Sequence, residues 1–133
     1  MPELPDIVVY VERLAAYTVD RPLRGARIPS PFLVRSVDPP VQALVGRAVR
    51  AVGRLGKRLV LSFDDDLHMV IHLMIAGRLR WKPPKAPVAG RIGLAAFDFD
   101  HGTLSFTEAS KQKRASLYVV RGADALAEFD RGG

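Results

Sequence analysis

The chain has 133 residues and no cysteine, and its 20 Lys and Arg outnumber 14 Asp and Glu, for a formal net charge of +6 at pH 7. That length suits one domain with a real core, and a hydrophobic content of 48% excludes a disordered chain. Without cysteine there is no disulfide or thiolate-bound zinc within these residues, and the cationic surplus favours a polyanionic partner, nucleic acid ahead of an anionic membrane.

Ile7, Val8, Tyr10, Val11, Leu14 and Ala15 recur at helical spacing and predict an amphipathic N-terminal helix. Pro5 suits its first turn, and Asp6 complements the positive end of its dipole. Pro22, Pro29 and Pro31 end the helical pattern and introduce extended chain. The middle then reads as β. Residues 47–54 alternate loosely until Leu55-Gly56 interrupts them. Residues 57–63 form a strand with Leu59, Val60, Leu61 and Phe63 as its apolar positions. Asp64-Asp65-Asp66 is a polar turn, residues 67–73 and 78–82 are further strands, and residues 82–90 are too rich in proline for a central strand. Residues 91–99 and 103–107 flank Asp100-His101-Gly102, which reads as a hairpin turn. Residues 116–120 close the β pattern, and residues 123–129 suggest a short helix. The expected fold is mainly β (α+β): a two-layer sandwich or barrel of about eight strands, with a helix at the N-terminus and a short one near the end. No apolar run is long enough for a membrane span, and the first residues do not read as a signal peptide. A monomeric, cytoplasmic, nucleoid-associated protein that does not bind membranes is the expectation.

Pro2 is the residue with the most chemistry to offer. Removal of Met1 would leave it with a free secondary amine. An α-amino group has a pKa near ~8, against ~10.4 for lysine, so a useful fraction is unprotonated at neutral pH. Such an amine can attack an aldehyde-like sugar carbon and form an iminium ion, which carries its positive charge without needing a proton. Glu3, directly beside it, is placed to exchange protons with the sugar oxygen or a departing base. Taken alone, Met-Pro-Glu is an ordinary start.

The longer string Met1-Pro2-Glu3-Leu4-Pro5-Asp6 resembles the N-terminal signature of the formamidopyrimidine-DNA glycosylase / endonuclease VIII family, usually MPELPE. The resemblance implies that Pro2 is the nucleophile and Glu3 the acid/base; Asp6 stands where the family has glutamate. Gly56-Lys57-Arg58-Leu59 resembles a second family segment. There a hairpin lysine contacts the DNA backbone and assists catalysis, a role this places on Lys57. Residues 72–79 (HLMIAGRL) resemble the family's HLGMSGRL. This implies that His72 approaches a phosphate and that Ile75 enters the duplex as an apolar wedge, with Met74 as the alternative filler. His68 and His72 are spaced four apart, but a strand and the lack of a third ligand argue against a metal site.

The family's Asp-Pro-Arg-Arg-Phe-Gly string has its counterpart in residues 107–115 (TEASKQKRA), which carry neither aromatic nor glycine. Lys111, Lys113 and Arg114 remain for phosphate or the unpaired base, and no residue takes the phenylalanine's place. Arg54, Arg58, Arg78 and Arg80 complete the expected DNA-binding set.

The resemblance spans residues 1–121. It implies a catalytic domain over that range, with residues 122–133 forming a short helix and the start of a linker to a helix–two-turn–helix and finger half not found here. The implied activity is base-excision repair: a glycosylase with abasic-site (AP) lyase activity that removes oxidised or ring-opened bases from double-stranded DNA, with no cofactor in this chain. Two other readings stay open. One is a catalytically silent DNA-binding paralogue. The other is a nonenzymatic module for single-stranded nucleic acid, with Trp81 beside Arg80 and Lys82 as its stacking residue, although Trp81 also suits packing at a strand end.

Overall fold

The computed structural model describes residues 3–130; the proposed nucleophile Pro2 lies outside them. Leu4–Thr18 form a helix, α1, opened by the Asp6 carboxylate accepting the Glu3 backbone N–H at 3.2 Å. Its buried stripe is Ile7, Leu14 and Thr18, with Val11 partly covered. Val8, expected on that stripe, is 41% exposed. The helix lies along the side of a sheet, and so narrow a contact covers only positions at i, i+4, i+7 and i+11.

The strands are Gly25–Arg27 (β1), Val49–Leu55 (β2), Arg58–Phe63 (β3), Leu67–His72 (β4), Gly77–Lys82 (β5), Gly93–Phe99 (β6), Gly102–Glu108 (β7) and Ser116–Arg121 (β8). Ala123–Ala127 form a short helix, α2, and Glu128–Asp130 continue it as a 3-10 turn. Two antiparallel sheets result, one in the order β1-β6-β7-β5 and the other β2-β3-β4-β8. The expected two-layer, eight-stranded sandwich is the observed one. Strand β1 escaped sequence reading because three residues are too few to show alternation. The start expected at residue 91 moves to Gly93 because Gly90–Ile92 coil into a 3-10 turn.

Inward positions of the two sheets interdigitate as the core. Leu59, Leu61 and Phe63 of β3 alternate with outward residues, as do Leu67, Met69 and Ile71 of β4. Ala95, Phe97, Leu104 and Phe106 face them from the other sheet.

Trp81 ties three elements together. Its ring stacks on Tyr17 of α1 (4.8 Å between centroids, 9° between planes) and packs 5.0 Å from His101 in the β6–β7 hairpin. The His101 ring in turn donates to the Tyr17 carbonyl at 2.7 Å. Gly102 lies directly beneath the indole, where a Cβ would overlap the ring. Trp81 is thus a packing residue at a strand end. Gly102→Ala is expected to displace the indole and cost about 1–3 kcal/mol. Urea denaturation and the emission of Trp81, the only tryptophan, measure both effects.

Candidate active site and nucleic-acid interface

Strand register decides which residues meet. In the β2-β3-β4-β8 sheet, Leu55 pairs with Arg58, Leu59 with Ile71, and His72 with Ser116. The Gly56-Lys57 turn, the end of β4 and the start of β8 therefore share one end of that sheet. In the other sheet Gly77 pairs with Glu108 and Gly93 with Thr107, so the start of β5 shares an end with the loop after β7. Residues 73–76 are all that separates β4 from β5, and they bring the two ends together. Lys57, Arg58, His72, Ile75, Arg78, Lys111, Lys113 and Arg114 thereby collect at one end of the sandwich. Arg54 stands one residue pair further in, its guanidinium donating to the Gly56 carbonyl at 3.1 Å.

Glu3 and Lys57 meet there, with Lys57 Nζ 3.7 Å from Glu3 Oε2. Two features make this possible. Glu3 is fixed as the N-cap of α1, and Gly56 has φ +61°, the positive first-position angle of a two-residue hairpin that presents Lys57 at its tip. The Glu3 side chain is 76% exposed, so the pair adds little stability. It does place an acid and an ammonium group on one open surface.

The 73–76 turn presents Ile75, 67% exposed, at its apex, while Met74 is partly covered and sits at φ +58°. Of the two candidates, Ile75 is the exposed one. The turn is tight. Gly77 N–H donates to the Leu73 carbonyl at 2.9 Å, and any Cβ at residue 77 would collide with that carbonyl. Arg78 braces it by donating to the carbonyls of Ile75 (3.1 Å) and Gly77 (2.7 Å). His72 is half-buried; burial and then the nearby charge of Arg58 hold its pKa below the ordinary value, which favours the neutral ring.

Loop 109–115 is organised by Glu108, which sequence reading passed over. Glu108 is buried, and its Oε2 accepts the backbone N–H groups of Arg114 (3.1 Å) and Ala115 (3.0 Å). Its Oε1 is buried without a partner among the described residues. Lys113 Nζ donates to the Glu108 carbonyl, and Gln112 Oε1 holds the Arg114 guanidinium at 2.7 and 3.2 Å. Lys111 is left exposed. Arg58 is also engaged, donating to the Phe129 carbonyl at 3.2 Å beneath the C-terminal segment. An acid at a strand end, just ahead of a basic loop, was the signal for Glu108.

Away from this end, His68 does not join His72. Its ring nitrogens contact Ser62 Oγ at 2.7 Å and Asp66 Oδ1 at 2.8 Å. The arginines differ between the two ends. At the far end Arg24, Arg27, Arg47 and Arg50 are each paired with an aspartate, and the Arg50 guanidinium holds the Asp64 carboxyl below its ordinary pKa. At the site end Arg54, Arg58, Arg78 and Arg114 have no carboxylate within ion-pair reach among the described residues. Their charge stays available to a polyanion.

Comparison with known proteins gives one consistent picture. The family model described as the formamidopyrimidine-DNA glycosylase N-terminal domain matches residues 1–115. Formamidopyrimidine-DNA glycosylase of Chloroflexus aurantiacus is 33% identical over 129 residues, covering 95% of this chain and 46% of the relative. The enzyme of Chloroflexus aggregans is 35% identical over the same length and shares. The chain thus spans about half the length of these curated relatives. Its fold is that of Lactococcus lactis Fpg in complex with an abasic site containing DNA (TM-score 0.86, 21% identity, 96% of this chain and 47% of that one). The same protein with FAPY-dG containing DNA gives a TM-score of 0.85.

Glu108→Ala is expected to strip two loop amides of their acceptor and cost about 1–3 kcal/mol. Urea denaturation gives the loss, hydrogen exchange at residues 109–115 locates it, and Glu108→Gln, which keeps one oxygen, is expected to lose less. His72 is expected to titrate below 6.5 by NMR, and Arg58→Ala to move its midpoint upward. Since the folded protein binds this proton less readily than the unfolded chain, the contribution to stability is complete above 6.5. It is lost as pH falls from there toward the lower folded value.

Proposed function

The chain belongs to the formamidopyrimidine-DNA glycosylase N-terminal domain family, and from that membership we propose that it is the catalytic domain of a base-excision DNA repair glycosylase with AP lyase activity. The observation that carries the reading is the meeting of Glu3 with Lys57, 3.7 Å apart in space though far apart in sequence, at the end of the sandwich where arginines are unpaired. Pro2, covalently adjacent to Glu3, is the nucleophile. Residues 1–121 form the catalytic unit, and a partner half of the kind its longer relatives contain supplies the remaining grip on DNA. The substrate is double-stranded DNA bearing an oxidised or ring-opened base or an abasic site.

The damaged nucleotide leaves the stack at a cost of roughly a few kcal/mol. Ile75 fills the vacated step as an exposed apolar wedge, and Lys57, His72, Arg78 and Lys111 hold phosphates. The unprotonated Pro2 nitrogen donates its lone pair to C1′, and the base departs with the glycosidic electrons and a proton. The C1′–O4′ bond then opens to the iminium, with Glu3 protonating O4′. Loss of a C2′ proton to a base lets the electron pair move toward the iminium and expels the 3′ phosphate.

Borohydride reduction is expected to trap a covalent complex between abasic-site DNA and protein whose mass shows that it begins at Pro2. Pro2→Gly is expected to trap at least about tenfold less while binding duplex equally well. A Pro2-terminated protein that binds this DNA and is never trapped is instead the catalytically silent paralogue, a reading favoured by the missing aromatic in loop 109–115. Duplex affinity is expected to fall steeply with salt, and a salt-independent affinity would rule out a phosphate-based footprint.

A further inference from the structure

We propose that the cleft between α1 and β5 is a second nucleic-acid site, a channel for a short single strand that runs out from the Glu3–Lys57 surface. The proposal rests on the reading that this surface works on DNA. The cleft has a volume of about 790 Å³. It exists because β5 is an edge strand of its sheet, while α1 packs against β2 and β3 of the other. The side of the sandwich between helix and edge is left open up to the point where Tyr17 stacks on Trp81. Leu14, Leu79 and Leu104 form an apolar floor.

Three features point to the occupant. First, the walls are cationic: Arg13 comes from the helix and Arg78, Arg80 and Lys82 from the strand, against Asp6 alone. None of the four cations has a carboxylate within ion-pair reach among the described residues, and Asp6 is turned to the Glu3 backbone. Arg78, Arg80 and Lys82 are alternate residues of β5 about 6.6 Å apart, a step comparable to that between phosphates of one strand; they rim the cleft along the strand's open edge, from the face opposite Leu79 and Trp81. Second, Tyr10 and Tyr17 line the helix side; Trp81 takes one face of the Tyr17 ring, and Tyr17, 41% exposed, leaves its other side to a base. An acidic peptide would satisfy the cations and leave the rings without a role. Third, the cleft begins at Asp6, Ile75 and Arg78, beside the proposed site, and continues along α1 to Tyr17, about 16 Å at helical rise. Its volume lies in the range of small-ligand pockets, so it holds a few unpaired nucleotides and no duplex.

Trp81 supplies the readout, because this only tryptophan stacks on Tyr17 at the cleft wall. Titration with oligothymidylate at low salt is expected to change its emission saturably, with an affinity that weakens as salt rises. With a labelled oligothymidylate read by anisotropy, Arg80→Glu/Lys82→Glu is expected to bind at least about tenfold more weakly. Tyr17→Leu is expected to weaken binding while leaving the salt slope unchanged. Absence of saturable binding overturns the channel. So does equal affinity for an oligoglutamate peptide, which would make the cleft an acidic-peptide groove. Borohydride trapping is scored in parallel. Trapping without oligothymidylate binding removes the channel alone, and binding without trapping removes the catalytic reading alone.

Discussion

The approach of the residue 77 backbone to the Leu73 carbonyl governs how the two sheets join. Only glycine permits it, because a side chain would enter the space the carbonyl occupies. With that contact made, β4 passes to β5 through residues 73–76 and the sandwich closes at a corner. The corner brings the Lys57–His72–Ser116 end of one sheet against the Gly77–Glu108 end of the other. His72, Ile75 and Arg78 take their places from this junction, and it sets the loop after β7 beside the Gly56-Lys57 hairpin. A longer connection would let the two ends drift apart and would lower Ile75 from its apex.

Elements were legible in the sequence wherever pattern and length cooperated. The alternation from Leu59 to Phe63 and from Leu67 to Ile71 marked β3 and β4, and helical spacing marked α1. Strand β1 was hidden because its pairing with β6 is a tertiary event that three residues cannot announce. The misplaced Val8 has a related cause. Periodicity finds an apolar face but not the narrow line along which a neighbour touches it.

The site was legible in a different way. Lys57, His72 and Ile75 were found through short strings that resemble a family, and the structure then gave them a common location. Glu108 could not be found so, because its partners are backbone amides six and seven residues on, brought round by the loop. The unequal pairing of arginines was equally hidden. Composition counts twenty cationic residues and cannot say which of them face aspartate. That depends on register, which sets Arg50 beside Asp64 and leaves Arg54, on the same strand, without an acid among the described residues.

The pairing of Arg24, Arg27, Arg47 and Arg50 has a consequence for how the molecule travels. Pairing four arginines with aspartate at one pole, while Arg54, Arg58, Arg78 and Arg114 at the other meet no carboxylate among the described residues, skews the net charge toward the second. In the field of a phosphate polymer such a body feels a torque as well as a pull, so many collisions are already aligned before contact. On the proposed function, the aspartates opposite the Glu3–Lys57 surface are then the tail of a compass needle.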